Sequence, residues 1–214
     1  MPQVVADNFI DFSLLPFVCP PDDRPTMSSP KRLLVCSIGN PGAYLCTLHS
    51  AGHAAVERLR QALAYPAFAS SPRYGRGLVS AGPDFTLWQS SSAMNVSGPA
   101  VGAAWRQFLR DGGGRLVVVH DDLEAALGRI RVRGGGGSAR GHNGLRSIQE
   151  TLCRTGTAAD YLRVGIGIGR PQSRESRVVA EYVLRKMSPH ERNSVEACVG
   201  ELEAELRRIA MGGA

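Results

Sequence analysis

Along this chain short apolar runs alternate with stretches of helical spacing. Leu33 to Ile38 is an apolar run broken only by Ser37, with the length of a buried strand. It stops at Gly39-Asn40-Pro41-Gly42, where Asn-Pro and Pro-Gly mark a turn and Pro41 biases Asn40 to an extended backbone. Thr47 is a candidate helix N-cap. Ala51, Ala54, Ala55, Leu59 and Leu63 then recur at helical spacing and predict a helix over 51–64. Residues 65–77, rich in Ser, Pro and Gly, read as loop. Leu78-Val79-Ser80 and Phe85-Thr86-Leu87-Trp88 flank Gly82-Pro83-Asp84, a hairpin signal. A polar run, Ser90 to Ser92, leads to Met94-Asn95-Val96-Ser97-Gly98 and a predicted helix from Pro99 to Arg110, ended by Gly112-Gly113-Gly114.

Leu116 to Val119 is continuously apolar, as a central strand is, and runs into His120-Asp121-Asp122. Ile130 to Arg133 alternates like a half-exposed strand. A glycine-rich loop is expected from Gly134 to Gly144 and a helix from Leu145 to Leu152. Tyr161 to Ile168 reads as a further strand closed by Gly169-Arg170-Pro171, and Val178 to Leu184 as a short ordered piece. Pro189 to Ile209 reads as one terminal helix, with Ser188 and Glu191 forming a capping box. Strands alternating with helices predict a single α/β domain whose sheet the 78–88 hairpin makes mixed.

Composition changes this picture in two places. Residues 1–30 set Asp7, Asp11, Asp22 and Asp23 against Arg24, so the rest of the chain carries +9 of the overall +6. That stretch is also rich in proline, and it lacks the basic start of a secretory signal and the arginines of a transit peptide. We expect a poorly ordered extension over 1–30 and a catalytic domain over 31–214. The basic excess, mostly arginine, suggests a polyanionic partner such as a nucleic acid. No apolar run reaches transmembrane length. Cys19, Cys36, Cys46, Cys153 and Cys198 have no CxxC spacing and read as reduced thiols, with no zinc pattern.

Polar residues gather where strands end: Asn40 and His49 after the first, Asn95 after the hairpin, Asp121 after the central strand, His142 and Asn143 in the glycine-rich loop. In open α/β sheets such loops build the ligand site. Brought together, they suit general-base catalysis by a neutral His whose tautomer a carboxylate fixes, with Asn amides holding carbonyls and a developing oxyanion. No GxSxG elbow and no GK[ST] phosphate loop is present.

Six segments together resemble the bacterial-type peptidyl-tRNA hydrolases: GNPG at 39–42, T-x-H-x-AG at 47–52, MNxSG at 94–98, HDD-L at 120–123, GHNGLRSI at 141–148 and GIGRP at 167–171. They keep the family's order from residue 32 to about 205. The resemblance implies a twisted mixed sheet between helices. It also implies metal-independent, cofactor-free hydrolysis of the ester joining a peptide to the 3′ end of tRNA, by a cytoplasmic monomer. It makes His49 the catalytic His and Asp121 the residue orienting it. Asn40, Asn95 and Asn143 become substrate-binding asparagines, Met94 a site-lining residue and His142 the flap His. Arg131, Arg133 and Arg140, beside the glycine-rich loop, are expected to meet tRNA phosphates. Leu48, Ser50, Ala93 and Arg140 depart from the family's pattern. This divergence and the extension suggest a eukaryotic member, with the mitochondrion as an alternative compartment. Two rival readings are an RNA-binding, splicing-type protein on the same scaffold, without hydrolysis, and an unrelated esterase for small substrates.

Overall fold

The structure is a computed structural model that describes residues 30–157 and 161–213. The expected extension over 1–30 lies outside these residues, apart from Pro30. Among the described residues seven strands form one mixed sheet: β1 (Leu33–Ser37), β2 (Ala69–Ser70), β3 (Gly77–Ala81), β4 (Phe85–Ser90), β5 (Arg115–Asp122), β6 (Ile130–Gly134) and β7 (Leu162–Gly167). Their order is β2-β3-β4-β1-β5-β7-β6. β4, β1, β5 and β7 are mutually parallel, and the three strands outside them are antiparallel to their neighbours. Four carboxyl ends therefore open on one side of the sheet.

Side-chain alternation divides the core. Leu33, Val35, Val117 and Val119 pack under α1 (Ala51–Ala62), α5 (Pro189–Ala197) and α6 (Val199–Ala210). Leu34, Cys36, Leu116 and Val118 pack under α2 (Ser97–Arg110) and α3 (Asn143–Arg154). Central strands buried on both faces are apolar along most of their length, which is why β1, broken only by Ser37, and the first part of β5 read as near-continuous runs. Each such Leu or Val contributes about 1.5–3 kcal/mol by leaving water.

Several boundaries differ from the sequence expectation, each for a local reason. The stretch 65–77 is not all loop: it adds the short edge strand β2 and a 3-10 turn over Pro72–Tyr74. α2 begins at Ser97, because it continues directly from a 3-10 turn over Met94–Val96. Pro99 then falls in the first turn, where its missing N–H is not needed. α2 ends as expected: Gly112, at φ +73°, and Gly113 return their N–H groups to Leu109 and Phe108. α3 begins at Asn143 rather than Leu145, since the His142 imidazole accepts the Leu145 N–H and serves as N-cap. The ordered piece near 178 is α4 (Ser176–Leu184). Thr47 precedes a 3-10 turn over Leu48–Ser50, and its hydroxyl donates to the Tyr44 carbonyl instead of capping. The terminal helix is two helices, separated at Cys198, whose thiol donates to the Val195 carbonyl. The Ser188–Glu191 capping box is present. Among the described residues no helix is long and apolar enough to cross a membrane.

Candidate active site

The four parallel strands deliver their carboxyl ends to one cleft of about 730 Å³, lined by Asn40, His49, Met94, Asn95, Asp121, His142 and Asn143 among others. Every residue singled out from the sequence for catalysis or substrate contact is brought together there. Arg131, Arg133 and Arg140 line the same cleft.

At the centre is Asp121, on the last turn of the pleat in β5 and 3% exposed. Its Oδ1 accepts from His49 Nδ1 at 2.9 Å and from His142 Nε2 at 3.1 Å. Asp121 shares side-chain parity with Val117 and Val119, so it faces the α1 side, where the 3-10 turn before α1 presents His49. Asp122 faces the other way and accepts the Glu124 N–H at 2.8 Å, a turn contact away from His49.

The hydrogen-bond pattern dictates proton positions. An ionised carboxylate only accepts, so the nitrogens facing Asp121 carry protons. His49 is thereby left with an Nε2 lone pair, the arrangement a general base requires. His142 Nδ1 accepts the Leu145 N–H at 3.2 Å, which fixes His142 as the neutral Nε2–H tautomer. One ligand atom from each of His49, Asp121 and His142 lies within 4.8 Å of the others, and in this proton pattern both imidazoles donate to the carboxylate.

Burial is the largest influence on His49 and disfavours its charged form, but the Asp121 charge and hydrogen bond together outweigh it. The His49 pKa is raised above the ordinary histidine value. Burial alone would push the Asp121 carboxyl up; the two imidazoles overcome this and hold it well below the usual carboxylate range. His120 stacks edge-on against His142 at 5.2 Å and binds the Asp121 carbonyl through Nδ1 at 2.6 Å. Burial first, then His142, lowers its pKa to about 4, so His120 is neutral.

Asn40 is held by two residues, Met94 and Ser50. Its Oδ1 accepts the Met94 N–H at 2.9 Å, joining the end of β1 to the turn after β4. Its N–H donates to Ser50 Oγ at 3.0 Å, and Ser50 in turn donates to the Tyr44 carbonyl at 2.9 Å. Ser50 departs from the family's pattern, yet it is fully buried and knots this loop to the start of α1. Leu48, another departure, is core. Asn95 and Asn143 are exposed, with no protein hydrogen bond to their side chains among the described residues. Met94 is 3% exposed and packs so closely on Gly144 that a Cβ there would lie 2.6 Å from its sulfur.

The glycine-rich loop is pinned from below. Buried Arg163 donates to the Gly134 carbonyl at 3.2 Å and the Ser138 carbonyl at 3.0 Å, and Gln149 to the carbonyls of Gly135 and Gly137. Arg140 sits at φ +48°, a left-handed backbone that a non-glycine residue adopts at a cost of roughly 1–2 kcal/mol. Sequence reasoning missed Ser50, His120 and Arg163 as site residues. For His120 the HDD run was a signal; the burial of Arg163 had none.

A family model described as peptidyl-tRNA hydrolase matches residues 34–213. A probable peptidyl-tRNA hydrolase of Schizosaccharomyces pombe is 36% identical over 168 residues, which cover 76% of this chain and 75% of the relative. A peptidyl-tRNA hydrolase of an Anaeromyxobacter species is 39% identical over 183 residues, covering 83% and 89%. The crystal structure of peptidyl-tRNA hydrolase from Acinetobacter baumannii superposes with a TM-score of 0.70 at 27% identity, covering 86% of this chain and 91% of that one.

An NMR titration of the imidazoles checks the central pair. His49 is expected to titrate above about 6.5, the ordinary histidine value. In Asp121→Asn the opposing charge is gone while burial remains, so the His49 midpoint is expected to fall below that value. A wild-type midpoint at or below it contradicts the assignment.

Proposed function

Because the chain belongs to the peptidyl-tRNA hydrolase family, we propose that it hydrolyses the ester between the peptide, or N-blocked amino acid, and the 3′ end of tRNA, with His49 as the base. The observation carrying this reading is the 2.9 Å His49–Asp121 bond at the floor of an arginine-lined cleft. His49 Nε2 takes a proton from water as the water oxygen bonds to the ester carbonyl carbon. Asp121 keeps Nδ1 protonated and stabilises the imidazolium that forms. The tetrahedral intermediate places negative charge on the former carbonyl oxygen, and amide N–H donors aimed at that oxygen stabilise it most. Asn95 and Asn143, whose side chains have no hydrogen-bond partner among the described residues, are suited to this role. Asn40 ties down the turn that carries Asn95 through its bond to the Met94 N–H, and Met94 packs against Gly144 beside Asn143. Collapse breaks the bond to the ribose 3′ oxygen, which receives its proton from the imidazolium. The peptide leaves as an acid and the tRNA is free for reuse.

The reading uses one subunit and no metal, and we place it in the cytoplasm, with the mitochondrion as the alternative. RNA binding without hydrolysis is not favoured, because the relatives are named as hydrolases and the His–Asp pair would then have no task. We further propose that Arg131, Arg133 and Arg140 meet tRNA phosphates. β6 alternates, so Val132 packs on the core while Arg131 and Arg133 face the cleft.

Incubation with an N-blocked aminoacyl-tRNA is expected to release free tRNA. Loss of a positioned base typically lowers turnover about 10²–10⁴-fold. His49→Ala is expected to show that loss with tRNA affinity nearly unchanged; near-normal turnover would sink the assignment.

Replacing Arg131 and Arg133 with Gln tests the phosphate face. KM is expected to rise more than kcat falls. Fewer counterions are then released on binding, so the slope of log affinity against log salt flattens by up to about 2. An unchanged KM and slope would move the tRNA elsewhere on the domain.

A further inference from the structure

Four residues beyond His49, in the first turn of α1, lies a second histidine that the mechanism does not use. His53 is 2% exposed. Its Nδ1 is 2.8 Å from Ser37 Oγ, at the last residue of β1. Its Nε2 is fully buried with no hydrogen-bond partner among the described residues. Burial drives its pKa down to about 4, so the ring is neutral at physiological pH.

The ring edge abuts Gly39. A Cβ on Gly39 would lie 2.5 Å from His53 Cδ2 and 2.7 Å from Nε2. Only a glycine fits there, and the imidazole fills the space a side chain at position 39, next to Asn40, would take. A buried nitrogen without a partner is destabilising, and an apolar side chain at position 53 would avoid it. The chain tolerates this, and Ser37 locks the ring angle from β1. The ring is therefore a rigid backstop behind the loop that carries Asn40. In front, Asn40 is held by Met94 N–H and Ser50 Oγ. Those bonds fix its direction but not how far the loop recedes toward the core.

We infer that His53, held by Ser37, is a positioning residue that sets the depth of Asn40 in the cleft through Gly39. The inference rests on the hydrolase reading of the cleft. His53 touches neither water nor ester. It acts on the distance between the arms of β1 and β4 that grip the substrate.

The test uses the full chain with N-blocked aminoacyl-tRNA and, separately, backbone NMR. His53→Ala opens space behind Gly39 and lets Asn40 recede. A misplacement of about 1 Å typically costs up to about 10²-fold. The expected loss in kcat is between tenfold and that figure, larger than any change in KM, with the acid limb of the pH profile unmoved because His49 and Asp121 are untouched. In an Asn40→Ala background the same substitution is expected to change kcat by less than about twofold, since residues acting through one another are not additive. Ser37→Ala, which frees the ring without removing it, is expected to give a smaller loss of the same kind, and decides the matter if His53→Ala does not fold. Independently of turnover, the Met94 amide is expected to lose hydrogen-exchange protection in either variant, because its acceptor is Asn40 Oδ1. Additive losses, a displaced acid limb, or a Met94 amide as protected as in the wild type would each overturn the inference. A wild-type protein that releases no tRNA would overturn the hydrolase reading instead, and the Met94 exchange would still decide the role of His53.

Discussion

A carboxylate sealed from water must be paired or it will not stay ionised. Asp121 is in that position, and the construction of the site follows from it. One oxygen accepts two imidazole N–H groups, from His49 ahead of α1 and His142 at the head of α3. Those helices lie on opposite faces of the sheet. The carboxylate is thus where the two halves of the fold meet, and it does three things at once. It keeps the His49 Nδ1 proton in place, raises the basicity of Nε2, and ties down the end of the glycine-rich loop. His142 can contribute only because its other nitrogen is occupied as the cap of α3.

Around this point the cleft lining is mixed. Arginines come from β6, β7, the glycine-rich loop and, as Arg170 and Arg174, the stretch before α4, while α4 adds Val179, Val183 and Leu184. A substrate that joins a polyanion to a peptide offers charged and apolar parts to such a lining. The glycine-rich loop is held by Arg163 and Gln149 rather than by a core of its own, as befits a segment made mostly of glycine. Arg140 adopts the left-handed backbone its neighbour Gly141 also uses, so a charged side chain is kept at the cleft mouth where glycine would be easier. Ser50 shows that a departure from the family's pattern need not loosen the site: its hydroxyl binds the Asn40 loop.

What could be read from the sequence was what local chemistry decides. β1 and β5 announced themselves because strands buried on both faces must be apolar, and the hairpin because Gly82-Pro83-Asp84 demands a turn. Ser188 and Glu191 signalled a helix start because a capping box is complete within four residues. Strand-end placement then gathered Asn40, His49, Asn95 and Asp121 into one cleft, and the family resemblance selected Asp121 over Asp122. What escaped was set by contacts far apart in sequence. The start of α3 was missed because its cap is an imidazole, a residue type outside the usual capping set. The break at Cys198 lies inside a periodic pattern that gave no warning of it. The sharing of Asp121 by a second histidine, the burial of Arg163 and the backstop formed by His53 all depend on side chains meeting across the sheet or through a glycine.

The pH dependence of kcat/KM tests the account most directly, because it reports the protonation of the free enzyme's base. His49 works as the neutral imidazole, so activity should rise with pH along a single limb. That limb should coincide with the NMR midpoint of His49 and lie above the ordinary histidine value. It should drop in Asp121→Asn and stay in place in Asp122→Asn. A limb that does not track the His49 titration, or one that moves with Asp122 and not with Asp121, would contradict the pairing on which the site is built.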